Sequence, residues 1–154
     1  MNYIKDMRKL IGHETLFTVG CGVIIEKDEC ILLQHRTDED NWCIPGGVME
    51  LGESFEETAK RETFEETELE VNELELFGVY SGESCFVEYP NKDKVYSVQV
   101  IFKAKEYNGD LKQKGIESKE HRFFRREDLP ENLNPRQKQF ILHWAEKRTL
   151  PIIS

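Results

Sequence analysis

Glutamates are concentrated in the stretch RETFEETE, which runs from Arg61 to Glu68. Three of them, Glu62, Glu65 and Glu66, are spaced three and four residues apart, so an α-helix would place them on one side. Carboxylates held that close repel one another unless they take up protons or bind a cation. Several carboxylate ligands suit Mg²⁺ or Mn²⁺, so the spacing predicts a divalent metal site.

The helix that must position these glutamates is expected to begin at Ser54, where the pattern S-x-x-E predicts a capping box. At about 100° per residue, Glu62 and Glu66 continue the line of Phe55 and Ala59 along one face. A helix whose acidic residues were simply solvated would point both carboxylates away from that apolar line. Solvation alone therefore accounts poorly for the two glutamates, and a bound cation accounts for them better.

The acidic residues are unevenly distributed along the 154-residue chain. The formal net charge is −9, and residues 50–75 hold eleven glutamates against only Lys60 and Arg61. That segment therefore carries a net nine negative charges, and the rest of the chain sums to about zero. Because binding of polymeric nucleic acid requires a clustered basic face, no such partner is expected.

Neither export nor membrane insertion is expected from this sequence. No apolar run approaches the roughly 18 residues of a membrane span, and MNYIKDMRKL has charges where a signal peptide needs an apolar core. The four cysteines form no C-x-x-C pair and are expected to be reduced core residues. These observations favour a cytoplasmic protein without a membrane partner.

Hydrophobic periodicity predicts helices near both ends and six strands between them. The strand-like stretches are LFTVGCGVIIEK, ILLQHR, LELFGVYSG, CFVEYP, KVYSVQVIFKAK and HRFFRR, and the first two form a hairpin across DEC. The first helix is expected to end at Gly12, and the last to start at Asn134 with Pro135 in its first position. TDEDNWCIPGGVMELGE is typical of a long polar loop. We therefore predict a single α+β domain, residues 1–154, built as an α/β/α sandwich with a mixed β-sheet between helices.

The spacing between Gly47 and Leu69 resembles the Nudix box, G-x5-E-x7-R-E-U-x-E-E-x-G-U, in which U is a bulky apolar residue. Two positions depart from it, because Thr63 stands at the first U and Glu68 replaces the usual glycine. A left-handed Glu68 would cost about 1 kcal/mol at the end of the helix. The stretches LIGHETLFTVGCGVII, NWCIPGGVMELGES and ESKEHRFFRREDLP also look like small MutT-like Nudix hydrolases. The matching positions are Gly47, Glu53, Arg61, Glu62, Glu65, Glu66 and Leu69.

This resemblance implies a Nudix fold and hydrolysis of a nucleoside diphosphate linked to another moiety, with water attacking a phosphorus of the pyrophosphate. It implies that the cation, Mg²⁺ or Mn²⁺, polarises the diphosphate and lowers the pKa of the attacking water. By the same resemblance, Glu53 and Arg61 orient the carboxylate cluster. The implied metal ligands are Glu62, Glu65, Glu66 and the backbone carbonyl of Gly46.

The remaining candidate residues concern the general base and the substrate. The family takes its base from a box glutamate or from a later loop, where Glu117 and Glu120 are the candidates. Arg36 could reach a phosphate, and Trp42 could stack on a base. The permissive backbone at Gly46 and Gly47 can approach a metal or a phosphate.

The nucleotide substrate is left open by the sequence. The S-Q-P-W-P-F-P-x-S array of the family's NADH types is absent, and Cys85 stands where ADP-ribose types have a proline. The tyrosine that marks diadenosine-polyphosphate types is also missing near that point. Two alternatives to a small-nucleotide hydrolase are a silent nucleotide sensor and an RNA 5′-pyrophosphohydrolase served by Arg122, Arg125 and Arg126. A homodimer is common among such small hydrolases.

Overall fold

The computed structural model of the chain describes residues 2–112 and 118–154. The three α-helices are α1 (Tyr3–Ile11), α2 (Phe55–Thr67) and α3 (Lys138–Ala145). The ten strands are β1 (Leu16–Ile24), β2 (Glu26–Lys27), β3 (Cys30–Arg36), β4 (Trp42–Cys43), β5 (Gly46–Val48), β6 (Glu70–Tyr80), β7 (Phe86–Glu88), β8 (Lys94–Asn108), β9 (Ser118–Arg125) and β10 (Ile152–Ile153).

The strands form two sheets. The larger sheet has the order β10-β6-β8-β1-β5, with β7 also paired to β8. It is mixed, because β1 runs parallel to β8 and β10 runs parallel to β6, while β6 is antiparallel to β8 and β5 is antiparallel to β1. In the smaller sheet β3 is the central strand. It pairs with β2, with β4 and with β9, and each of these pairings is antiparallel.

The core lies on both faces of the larger sheet. Side chains alternate along a strand. In β1 the side chain of Ile24 therefore points to the face covered by α3, whereas those of Cys21 and Val23 point to the face covered by α2. One cluster contains Phe140 and Trp144 of α3, and the other contains Ala59 of α2. This arrangement confirms the predicted α/β/α sandwich with a mixed sheet between helices.

The ends of α1 and α2 follow the predicted signals. Ser54 accepts a hydrogen bond from the Glu57 amide while Glu57 accepts one from the Ser54 amide, so the capping box is complete. The last turn of α2 ends at Glu68, which has a left-handed φ of 64°. Helix α1 ends at Gly12, as predicted.

Three features differ from the sequence prediction. The segment expected to be a loop contains β4 and β5, and β10 was not anticipated. Strands of two or three residues have no periodicity of their own, and they form because partner strands pair with them. Helix α3 begins at Lys138 rather than just after Asn134, and the residues between them form a turn in which the Asn134 carbonyl accepts hydrogen bonds from the amides of Gln137 and Lys138. Among the described helices, none has the length and apolar content that a membrane span requires.

Candidate active site

The face of α2 that packs against the sheet is lined by small residues. Its buried side chains are Thr58, Ala59, Thr63 and Thr67. Thr63 is fully buried, so it packs in place of the bulky residue usual at its position. Phe55, expected on the buried line, is instead 46% exposed, because it lies in the first turn of the helix and outside the packed face. The helix thus carries its glutamates along the border of a buried, threonine-lined face.

Glu53 and Arg61 form a two-point ion pair at the start of the site. Arg61 Nε lies 2.6 Å from Glu53 Oε2, and Arg61 Nη2 lies 2.9 Å from Glu53 Oε1. Glu53 also accepts hydrogen bonds from the Glu50 amide and the Thr58 hydroxyl. The hydrogen bonds from Arg61 lower the pKa of Glu53 to about 2, so the carboxylate is ionised at neutral pH. The pair holds the guanidinium in one orientation.

The same guanidinium reaches two more carboxylates. Arg61 Nη1 lies 2.7 Å from Glu62 Oε1 and 3.4 Å from Glu65 Oε2. The Glu65 side chain is 56% exposed, whereas that of Glu62 is only 19% exposed. A Cβ atom on Gly47 would lie 2.3 Å from the Glu62 carboxyl carbon, so this carboxylate occupies space that only a glycine leaves free. Glu62 is therefore held between Arg61 and the backbone of β5.

Glu66 points from α2 into the gap between the two sheets. Its Oε1 accepts a hydrogen bond of 3.0 Å from the Gly46 amide of β5, and its Oε2 accepts one from the Gln34 side chain of β3. Burial raises the pKa of Glu66 to about 7, because the charged form is poorly solvated there. The oxygen of the Gln34 amide lies 3.1 Å from His121 Nε2. Because Gln34 donates to Glu66 with its nitrogen, its oxygen accepts from His121.

The donor groups of the site are of the kind that a divalent cation prefers. Across residues 2–112 and 118–154, no three acidic, histidine or cysteine side chains already form a group that could hold a metal. The donors are nevertheless of the right kind, since hard cations prefer carboxylate and carbonyl oxygens. Gly47 leaves room for the Glu62 carboxylate beside β5, and Glu66 is a buried carboxylate whose ionised form a cation would stabilise. The residues therefore fit a divalent metal.

A cleft opens beside the site, on the α3 side of the larger sheet. Its cavity volume is about 120 Å³, and Gly46, Gly47 and Val48 of β5 line one edge of it. Arg36 lines it too, and its guanidinium pairs with Asp38 at 2.9 Å. The other lining residues are Gly20, Cys21, Gly22, Ile44, Cys85, Val87, Tyr89, Val95, Ser97, Gln99, Ile101, Arg136 and Gln137.

Trp42 lies away from the cleft and does not serve as its stacking surface. The side chain is buried in the core, and its ring centroid lies 4.9 Å from that of Phe124 and 4.9 Å from that of His35. The β3–β4 pairing places it there, because Trp42 pairs with His35 across the smaller sheet. The expectation that Trp42 stacks on a substrate base is corrected accordingly.

Glu120 lies on the wrong face of its strand to act beside Glu66. In β9 it pairs with His35, whereas the next residue, His121, pairs with Gln34 and reaches towards Glu66. Because neighbouring side chains alternate, Glu120 points to the opposite face, where it pairs with Arg122 at 3.0 Å. The structure therefore does not bring Glu120 together with Glu66, and its role as base stays a prediction. The other candidate, Glu117, lies outside the described residues.

The geometry agrees with comparisons to known proteins. A family model described as the NUDIX domain matches residues 16–144. The chain belongs to the Nudix family. It is accordingly a Nudix hydrolase, an enzyme of the class that cleaves pyrophosphate linkages.

Individual relatives of this Nudix hydrolase support the same assignment. A protein of Methanocaldococcus jannaschii named ADP-ribose pyrophosphatase is 37% identical over 132 residues, covering 82% of this chain and 72% of its own length. A MutT-like protein of Streptomyces ambofaciens is 43% identical over 61 residues, 40% of each chain. The crystal structure of a MutT Nudix hydrolase from Burkholderia pseudomallei shares the fold, with a TM-score of 0.68 and 24% identity over 82% of this chain and 96% of that one.

Sequence reasoning about this Nudix hydrolase missed Gln34. It is 2% exposed and donates to Glu66, so it helps to hold a box carboxylate that lies 32 positions away in the chain. The available signal was a glutamine inside the otherwise apolar run ILLQ, because a buried polar side chain requires a partner. The identity of that partner depends on how α2 packs against β3. Arg136 and Gln137 also line the cleft, but no pattern in the sequence indicated that they would do so.

Proposed function

We propose that residues 1–154 form one Nudix hydrolase domain that cleaves the pyrophosphate of a nucleoside diphosphate derivative by metal-dependent attack of water on phosphorus. The observation that carries the proposal is the placement of Glu62 and Glu66 against Gly47 and Gly46. Two carboxylates border the same edge strand that lines the cleft. A substrate in the cleft would bring its phosphates to those carboxylates.

Glu62, Glu65, Glu66 and the Gly46 carbonyl would hold Mg²⁺, or Mn²⁺ in its place. The cation supplies charge neutralisation and an acidified water when bound. Arg61, fixed by Glu53, contacts both Glu62 and Glu65 and so holds these two candidate ligands near one another. With Glu120 on the opposite face, we assign the base role to a box glutamate.

The cleft would bind the nucleoside part of the substrate. Its polar groups include Gln99, which donates to Ser97 Oγ at 2.7 Å, and Gln137, which accepts from the Ile44 amide at 2.7 Å. Arg36 lies in the same cleft and is suited to a phosphate. The Methanocaldococcus jannaschii relative is named for ADP-ribose, so ADP-ribose belongs among the substrates to test. Cys85, at the position where ADP-ribose types have proline, lines the cleft.

A cytoplasmic location and a homodimer remain part of the proposal. All four cysteines are free thiols, three of them buried, which suits a reducing compartment. The four are Cys21, Cys30, Cys43 and Cys85.

The test is a substrate panel assayed with Mg²⁺ and with Mn²⁺. It should contain nucleoside diphosphate sugars including ADP-ribose, dinucleoside polyphosphates, oxidised nucleoside triphosphates and 5′-triphosphorylated RNA. We expect one small-nucleotide class to yield two phosphate-bearing products, and expect a chelator to stop the reaction until the cation is restored. Tight binding without product release across the panel would instead identify a sensor. Preferred cleavage of the RNA would contradict the small-nucleotide assignment.

A further inference from the structure

A second cavity adjoins the box glutamates on the side away from the cleft. This groove has a volume of about 730 Å³ and lies between α1 and the edge of the larger sheet. Glu62 lines it, as does Val48, which also lines the cleft. The cleft and the groove therefore meet at β5, with Glu62 at their junction. The remaining lining residues are Asn2, Ile4, Lys5, Arg8, Lys9, Glu50 and Asp93.

Helix α1 forms the outer wall of the groove and is held in a defined position. The Tyr3 amide donates to Glu50 Oε2 at 3.1 Å, which ties the start of the helix to the loop before α2. Arg8 donates to the Lys94 carbonyl at 2.7 Å and lies 3.6 Å from Asp93. Helix α1 also precedes residues 16–144, the part that the family model matches. It is thus an anchored addition to the matched region.

Two lysines on α1 take no part in the contacts that anchor the helix. Lys5 and Lys9 are one helical turn apart, so they share a face, and both line the groove. Both are exposed, and within the part of the chain that the structure describes neither makes an ion pair. They are cationic groups beside an acidic segment that has to accept a polyanion. An ammonium on a flexible stem is suited to phosphate oxygens.

We propose that the groove binds the leaving half of the substrate and that Lys5 and Lys9 hold a phosphate beyond the scissile linkage. This inference rests on the proposed function, and it assigns a substrate class within it. Substrates that carry a further phosphate, such as nucleoside triphosphates and dinucleoside polyphosphates, are favoured over nucleoside diphosphate sugars. The nucleoside occupies the cleft, Glu62 lies beside the scissile diphosphate, and the outer phosphate lies along α1.

The experiment uses the Lys5→Ala/Lys9→Ala double variant of the full chain. Inorganic tripolyphosphate is titrated as a competitive inhibitor of whichever panel substrate the wild type cleaves fastest. We expect the inhibition constant to rise about tenfold in the double variant, from the loss of two charge-assisted contacts. The Lys5→Arg/Lys9→Arg variant should keep the wild-type constant. A matched charge control, Lys27→Ala/Lys105→Ala, removes two exposed lysines that line neither cavity and should also leave it unchanged.

A second readout compares ATP with ADP-ribose. We expect the double variant to lose kcat/KM for ATP mainly through a higher KM, while kcat/KM for ADP-ribose stays within about twofold. An equal loss for both substrates, accompanied by a lower melting temperature, would show that α1 is only structural and would overturn the inference. An unchanged inhibition constant would overturn it as well. If the wild type cleaves nothing in the panel, the proposed function itself has failed.

Discussion

The glutamates of the box differ sharply from one another in their surroundings. Glu53 is ionised and locked to Arg61, Glu65 is largely exposed, and Glu66 is buried with a pKa raised to about 7. The four glutamates would be equivalent to one another if all of them were simply solvated. Here burial and hydrogen bonding give each carboxylate a separate environment, and Glu62 and Glu66 contact the strand that lines the cleft.

Replacement of Gly47 by alanine should disable the site while the fold persists. The new Cβ would overlap the Glu62 carboxylate, which must then move away from β5. We expect kcat/KM to fall at least about tenfold, since a displacement of about 1 Å in a positioned group is sufficient for such a loss. Steady-state kinetics at saturating Mg²⁺ would measure it, together with the free energy of unfolding.

The matched control is Gly78→Ala. Its Cβ would also lie too close to a neighbour, 2.9 Å from the Ile152 carbonyl oxygen, but at the β6–β10 pairing and away from the box. It should lower stability and leave kcat/KM unchanged. Similar losses of kcat/KM in both variants would show that the Gly47 effect is general destabilisation.

At the scale of the residue, the sequence indicated which glutamates to examine and could not supply their partners. Spacing along one helix predicted Glu62 and Glu66 together, because that relation is local. The contacts of Glu66 with Gln34 and Gly46 join three elements, and they depend on packing that no single stretch encodes. Trp42 shows the same limit, since its burial depends on strand pairing.

At the scale of the element, α2 has one well-formed end and one strained end. Its start combines a capping box with acidic residues in the first turn, and both features stabilise a helix N-terminus. Its end places Glu68 in the left-handed region, where a side chain is disfavoured. The strain lies two residues beyond Glu66, outside the contacts that hold the carboxylates.

Replacement of Glu68 by glycine should therefore stabilise the protein. We expect the free energy of unfolding to rise by up to about 1 kcal/mol, because glycine adopts a positive φ without a steric penalty. Urea unfolding monitored by circular dichroism would measure the change. Glu56→Gly is the matched control, because it places glycine inside the first turn of the same helix and should lower stability by about 1 kcal/mol. A loss of stability in Glu68→Gly would contradict the strain at this cap.

At the scale of the whole molecule, the sequence predicted the long strands and the helices better than it predicted the short strands. Long strands such as β6 and β8 and the helix α2 carry enough residues to show their own periodicity. The short strands β4, β5 and β10 exist only because longer strands pair with them. The proposed site depends on strand β5, because this strand contacts Glu62 and Glu66 and lines the cleft.

The charge distribution gives the molecule a single acidic region that has to meet an anionic substrate. Residues 50–75 hold the net negative charge of the whole chain, and α2 lies within them. A diphosphate could approach these carboxylates only if a cation lay between them. We therefore propose that Glu66 and its neighbours act through a bound divalent cation.

The most direct measurement is a titration of the hydrolysis rate with Mg²⁺ and Mn²⁺ in the wild type, Glu66→Gln and Glu68→Gln. Each variant replaces one carboxyl group near the end of α2 by an amide of the same size, and only Glu66 is a proposed ligand. We predict that Glu66→Gln loses hydrolysis or needs at least about tenfold more cation for its half-maximal rate. Glu68→Gln should follow the wild-type curve. A wild-type rate in Glu66→Gln, or an equal loss of cation affinity in both variants, would contradict the account.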